Sequence, residues 1–411
     1  MVVKINRYCI LLFTLMVLDL DCFYFVNRYS TYILGIGYTD LLVLIRILVV
    51  VYTIINNHGR VSKPAFFNVL LIGTVILSIT SAFAGKMVYG QSIISGIIAQ
   101  REWISAMLMV YPILTWLKNR QITLNQVIKT IAIVSVIYVG ICILQYYLID
   151  KIMFLQTNIN QRYGEARLRL SNVFLVILSG FLIDNLMEKS KKHEGKALSI
   201  LVLFGYFFLV AVITKGRMAT LAAVGGIGVS VLLRRSSASH KIISIIVLLA
   251  TIIFFANSQL GKDALDVLFG SGTGISADTI SVRNVEAAYY IEMTTNSFWR
   301  ILLGCGYPSP SPSAQSISSP TIGYWTYYTT DVGIIGNFYC YGLLGIFWYI
   351  MIYGNVLIKG YKIYKRSNRI CYLQFFIIDV LGCISLWPLC FNFTIALPLF
   401  LAMLEYESEV T

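Results

Sequence analysis

Polar positions along this chain rarely alternate with apolar ones; they punctuate long apolar runs. The stretches 38–55 and 124–149 carry at most two charged residues each. A run of that length can cross a ~30 Å hydrocarbon core as a helix, the conformation that satisfies its own backbone there. The pattern predicts an all-α, polytopic integral membrane protein with twelve spans: 8–27, 32–55, 65–84, 92–117, 125–149, 171–187, 197–214, 217–233, 241–257, 332–356, 371–387 and 388–405. Trp387-Pro388 is expected to turn the last hairpin. The first run contains Asp19 and Asp21 and lacks a small-x-small cleavage site, so it reads as a retained span.

The intervals between runs set the orientation. With the N-terminus inside, the inner segments hold eighteen of the 32 basic residues and the outer segments eleven. The inner loops are short and dense in Lys and Arg, which favours this topology. It puts both termini and Gly195 and Ser237 on the cytoplasmic side, with Gln161 and Ser316 outside. The chain then divides into spans over 1–257, one large external loop over 258–331, and further spans with a short tail over 332–411. The loop holds GSGTGIS, an expected helix near 283–299, and YPSPSPSAQSISSP. Loops of this size are functional or disordered. A shorter outer segment, 150–170, holds Arg162, Arg167 and Arg169. No internal repeat is visible, so the inverted halves common among transporters are not evident.

Composition agrees with a membrane setting: 58% hydrophobic, 12% charged, mean hydropathy +0.77. The net charge of +13 does not call for nucleic acid, because cytoplasmic loops collect Lys and Arg. Eight cysteines lie mostly within apolar runs without a CxxC pair, and read as small hydrophobes rather than disulfides or metal ligands.

The span that opens TKGRMATLAAVGGIGVSVLLRR, Thr214 to Arg235, carries cations at both ends. Arg234 and Arg235 suit inner anchors. Lys215 and Arg217 stand at the outer end, against the bias. They either snorkel to water or join Arg162, Arg167, Arg169 and Arg283 in holding an anion. Arginine suits phosphate through its planar, permanently charged fork.

Three segments in order carry a resemblance. Arg217-Met-Ala-Thr-Leu221 is an R-x3-L element at the outer start of a span. VRNVEAAYYIEMTTNSFWRILLGCGY, Val282 to Tyr307, reads as an Arg, an amphipathic helix and a G-x-G. In DVGIIGNFYCYGLLG, Asp331 precedes by eleven positions the Gly342-x-x-Gly345 of a span. Together, over roughly 160–360, they resemble the O-antigen ligase and Wzy polysaccharide polymerase superfamily. Ligases of that group usually carry His where this chain has Asp331. Its three histidines, His58, His193 and His240, fall in expected inner loops, which suits the polymerase branch.

The resemblance implies a GT-C-like membrane glycosyltransferase needing neither metal nor nucleotide cofactor. It would act at the outer face of a bacterial plasma membrane. Its substrates would be undecaprenyl-diphosphate-linked oligosaccharides, as donor and acceptor, with membrane lipid, a flippase and a chain-length regulator as partners. Ligase and lipid-linked glycan transporter are the rivals. Arg217 and Arg283 would hold the diphosphate, helped by Arg162, Arg167, Arg169, Lys215 and Arg101, since fixed cations favour a leaving group that gains charge. Asp331 would take the acceptor's proton; it equally suits a helix N-cap. Arg101 and Glu102 fall inside an expected span, where ionisable groups usually face a cavity. As neighbours they cannot pair with each other. Glu286 and Glu292 read more simply as a solvated helix face. Trp325, Tyr327 and Tyr328 suit either sugar stacking or an interfacial belt.

Overall fold

A computed structural model describes residues 6–64, 67–162, 165–188, 193–234, 275–322 and 325–410. Helix α1 (Arg7–Asp19) ends in a left-handed turn over Asp21–Tyr24. A hairpin, β1–β2 (Tyr32–Ile33, Ile36–Gly37), leads to α2 (Tyr38–Asn56) and α3 (Phe67–Tyr89). Next come α4 (Ile93–Ala99), α5 (Arg101–Leu108), α6 (Val110–Lys118) and α7 (Leu124–Leu148). Hairpin β3–β4 (Ile159–Arg162, Glu165–Leu168) precedes α8 (Val173–Met187), α9 (His193–Phe208), a π-helical turn at Leu209–Ile213, and α10 (Arg217–Leu233). The large loop supplies α11 (Ile275–Thr295), α12 (Phe298–Leu303), α13 (Pro312–Ser318) and hairpin β5–β6 (Thr321–Ile322, Trp325–Thr326). Helices α14 (Ile334–Ser367), α15 (Cys371–Gly382) and α16 (Ala396–Val410) follow.

The fold is mostly helical, as the apolar runs predict. Among the described residues five segments are long and apolar enough to cross a membrane: α2, Leu71–Tyr89, α7, Gly195–Ile213 and α14. The pair α4 and Arg101–Lys118, bent by 52°, raises that number to six. These segments expose large apolar side chains such as Leu48, Ile76, Ile133, Phe204 and Phe347. Faces of that kind need a partner or a lipid phase.

Several expected spans are shorter than their apolar runs, so twelve full crossings are not established. The run 8–27 leaves the helix at Asp19, whose carboxylate takes the backbone N–H of Ile395 at 2.6 Å and pairs with the fully buried Arg46 at 2.5 Å. The run 92–117 breaks at Gln100 and again at Met109. The run 371–387 stops at Gly382. Its expected tight turn at Trp387-Pro388 is instead an irregular segment to Ile395 with one 3₁₀ turn, Leu389–Phe391. The run 241–257 lies outside the described residues.

Helix starts obey local chemistry. Thr123 and Gln126 form a capping box on α7, each side chain serving the other's backbone N–H. Charge sorts to the two ends of the bundle. At one end, here the basic end, Lys118 pairs with Glu409, Arg369 with Glu407, Lys359 with Glu405 and Arg234 with Asp184. The other end holds the hairpins and the large loop, and is called the loop end below.

Two glycine-rich motifs meet there. Gly304 (φ +79°) and Gly342 (φ +62°) press backbone against backbone, and Gly306 lies equally close to Gly85 of α3. Cys305 N–H donates to Tyr339 C=O at 2.6 Å, and Tyr307 N–H to Ser81 Oγ at 2.8 Å. The G-x-G thereby ties the large loop to α3 and α14. A Cβ at Gly304 would sit 2.6 Å from the Tyr341 nitrogen, whereas one at Gly354 meets nothing within 4 Å. Gly304→Ala should therefore destabilise the detergent-solubilised protein by more than about 1 kcal/mol, read as a lower thermal unfolding midpoint. Gly354→Ala should not. Equal midpoints for the two variants would refute the close-packing account.

Candidate active site

The chain must turn between the π-helical segment and α10 within three residues. It does so with Lys215 at φ +46° and two long-reach bonds, Thr214 N–H to Leu209 C=O and Gly216 N–H to Val210 C=O. π-helical turns concentrate at functional sites. Strand β4 delivers Arg167 here, its Nε donating to Thr214 C=O at 2.6 Å. Lys215 and Arg217 are 3% and 6% exposed. They are enclosed by protein, so they do not snorkel. At the other end of α10, Arg234 is also buried, and Asp184 balances it at 2.5 Å while accepting the N–H groups of Ile370 and Cys371. Arg234 is thus an anchor to protein; Arg235 lies outside the described residues.

The short helix α15 organises the rest. Ala222 of α10 lies against Gly382, the last residue of α15. Arg217 stands five residues nearer the loop end, about 7.5 Å at 1.5 Å per residue. Cys383 C=O, just past α15, accepts the N–H of Ile334 at 2.8 Å. That contact requires Gly333, at φ +55°, where any Cβ would collide with the same carbonyl. Two residues on, Ser385 Oγ accepts from Arg283 Nη1 at 2.6 Å. The tip of α15 therefore holds Arg283 and the turn that follows Asp331, and the end of α10 that carries Arg217 points the same way along the bundle.

Asp331 is not the cap of α14. It closes the 3₁₀ turn Thr329–Asp331, and Gly333 takes the N-cap position without side-chain help. Among the described residues no hydrogen bond or ion pair engages its carboxylate. Glu286 is the larger correction. It is 3% exposed, not solvated, and accepts the backbone N–H of Tyr328. Burial pushes its carboxyl up to about 7, and the nearby charge of Asp331 adds to this. The Tyr328 N–H and the Arg283 guanidinium pull the other way. Arg283 and Glu286 share a face of α11 by their i, i+3 spacing. The signal was legible: Glu286 also lies one turn before the fully buried Tyr290. Glu292 is exposed, as expected.

The other expected residues divide. Arg162 closes the β3–β4 hairpin opposite Glu165, and its side chain lies outside the described residues. Arg169 follows the hairpin at an exposed position, its backbone joined to Asn158 and Thr157. Arg101 sits at the break before α5 rather than deep in a span. It pairs with Asp40 at 2.6 Å, and Glu102 pairs with Arg28 at 3.3 Å. Each neighbour indeed found a separate partner. Among the described residues no three His, Cys, Asp or Glu side chains group so as to hold a metal ion.

A carboxyl held up near neutrality beside the half-buried Arg283 guanidinium can accept a proton from a hydroxyl while cations hold an anion. No protein-family model matches the chain, and no curated protein matches it either.

The charge pattern fixes how Glu286 responds to its neighbours. An infrared titration of the carboxyl band absent from Glu286→Gln should give a midpoint near 7. Asp331→Asn removes a repelling charge and should lower that midpoint. Arg283→Gln removes a stabilising one and should raise it. A wild-type midpoint at the ordinary value of 4.5, or shifts of opposite sign, would contradict this electrostatic picture.

Proposed function

We propose that the chain is an integral membrane glycosyltransferase of the polysaccharide polymerase type, joining repeat units carried on a polyprenyl diphosphate. The observation that carries the reading is Glu286, a buried carboxyl pushed up to about 7 beside Arg283 and Asp331. The order of the three sequence motifs gives independent support. On this reading the loop end faces outward and the basic end the cytoplasm, with the shorter apolar helices completing the crossings.

The chemistry follows. The acceptor hydroxyl oxygen attacks the anomeric carbon of the donor. The bond from that carbon to the diphosphate oxygen breaks, and the diphosphate leaves with the bonding pair. Its gain in charge is met by Arg217 and Arg283, with Lys215 and Arg167 behind the first. Cations fixed before the reaction favour this transition state over the ground state. The hydroxyl proton passes to Glu286. Asp331 raises the affinity of Glu286 for that proton and so keeps it basic enough to act at neutral pH. Asp331 thereby becomes a positioning and tuning group, and Glu286 replaces it as proton acceptor.

Lipid-linked glycans of a deletion strain test the reading directly. Single repeats should accumulate on the outer leaflet. Long unligated chains would instead mean a ligase, and repeats trapped on the inner leaflet a transporter. Complementation refines the test. Glu286→Gln should lower polymer formation by roughly 10²–10⁴-fold at normal protein level. Arg217→Lys, which keeps charge but loses the fork, should also fall sharply. Wild-type chain lengths from both variants would remove the proposed site.

A further inference from the structure

At the loop end a cavity of about 840 Å³ opens between the start of α5, the segment around α13 and hairpin β5–β6. Its size lies in the upper part of the range for small-molecule sites, ~300–1,000 Å³. Its lining is unlike the cationic site. It includes four aromatic residues (Tyr29, Tyr307, Tyr328, Phe393) and seven serines and threonines. Two of its walls come from the Ser/Pro-rich stretch 307–320, which the G-x-G contact holds in place.

The two charged groups in the wall are committed. Arg101 bonds Asp40, and its other nitrogens serve Ile98 C=O and Thr39 Oγ1. Glu102 is held by Arg28. A diphosphate would need cations, and both charged groups of this wall already serve other groups. What the cavity offers is aromatic surface and many hydroxyls that both donate and accept. A pyranose presents the matching pattern: a weakly positive C–H face suited to the electron-rich face of an aromatic ring, and a rim of hydroxyls. One residue joins cavity and chemistry. Tyr328 lines the cavity, and its backbone N–H donates to Glu286.

We propose that this cavity binds the uncharged glycan of the acceptor, separately from the diphosphate site, and delivers its attacking hydroxyl past Tyr328 to Glu286. The inference rests on the polymerase reading and adds to it where the acceptor sugars lie and what recognises them. It accounts for the construction of the large loop: the Ser/Pro-rich part forms the sugar wall, while α11 supplies the proton acceptor.

The experiment uses the full chain in lipid nanodiscs with two probes measured by calorimetry. One is the repeat-unit oligosaccharide released from its lipid by mild acid; the other is inorganic pyrophosphate. Tyr29 is 77% exposed, and replacing the Tyr328 side chain leaves its backbone N–H in place. The double variant Tyr29→Ala, Tyr328→Ala should weaken the oligosaccharide roughly tenfold or more, through the loss of two stacking contacts. Pyrophosphate should bind it as it binds wild type. Arg217→Lys should show the reverse. If the double variant does not fold, Ser316→Trp, at an exposed position of the wall, fills the cavity and should give the same selective loss. Unchanged oligosaccharide affinity in the cavity variants, with pyrophosphate still dependent on Arg217, would overturn the cavity assignment and leave the polymerase reading standing. Binding of neither probe to wild type would overturn both.

Discussion

A helix that stops short must find donors for its last carbonyls, and α15 stops at Gly382, well short of its apolar run. Cys383 C=O meets this demand with the N–H of Ile334, which is reachable only because Gly333 brings its backbone into contact. That one hydrogen bond sets the entry of α14 and the position of Asp331. It also leaves Ser385 free to receive Arg283. The antiparallel packing of α10 on α15 then puts Arg217 at the same end. Arg283 and Asp331, from separate parts of the chain, come to one helix end because one carbonyl had to be satisfied.

Burial gives the assembled charges their chemistry. Glu286 in water would be an ordinary carboxylate; enclosed beside Asp331 it holds its proton up to about 7. The cations at the end of α10 are likewise enclosed rather than solvated. The loop end thus separates two environments. One is cationic and suits a leaving diphosphate. The other is aromatic and hydroxyl-rich, its charges already paired. Tyr328, which lines the cavity, is bonded through its backbone to Glu286, where the proposed transfer would place its proton acceptor.

Much of this could be read from the sequence. Apolar runs located helices over most of their length, because burying or embedding backbone dictates helix regardless of detail. The cations at both ends of the Thr214–Arg235 segment marked two buried charge sites, one of them met by Asp184. What could not be read were the breaks. Asp19 ends α1 because a partner arrives from Ile395, more than 370 positions away, and no local pattern carries that. Asp331 looked like a cap because Asp favours that position, yet Gly333 took it for a tertiary reason. Glu286 reads as solvated in the sequence because polar positions on a loop helix usually face water, whereas the backbone that encloses it comes from Tyr328, 42 positions on. Its spacing from Arg283 and Tyr290 was the available clue.

Glycan transfer at the loop end, by proton removal at Glu286 with diphosphate as leaving group, is the proposal on which the rest depends. Its most direct test is reconstitution of the purified chain with a lipid-linked repeat unit. Released polyprenyl diphosphate and new glycosidic bonds are counted together. Wild type should release one diphosphate per bond, and Glu286→Gln should lose nearly all of both while donor binding persists. Bond formation by Glu286→Gln at the wild-type rate, or diphosphate release without bond formation in wild type, would contradict it.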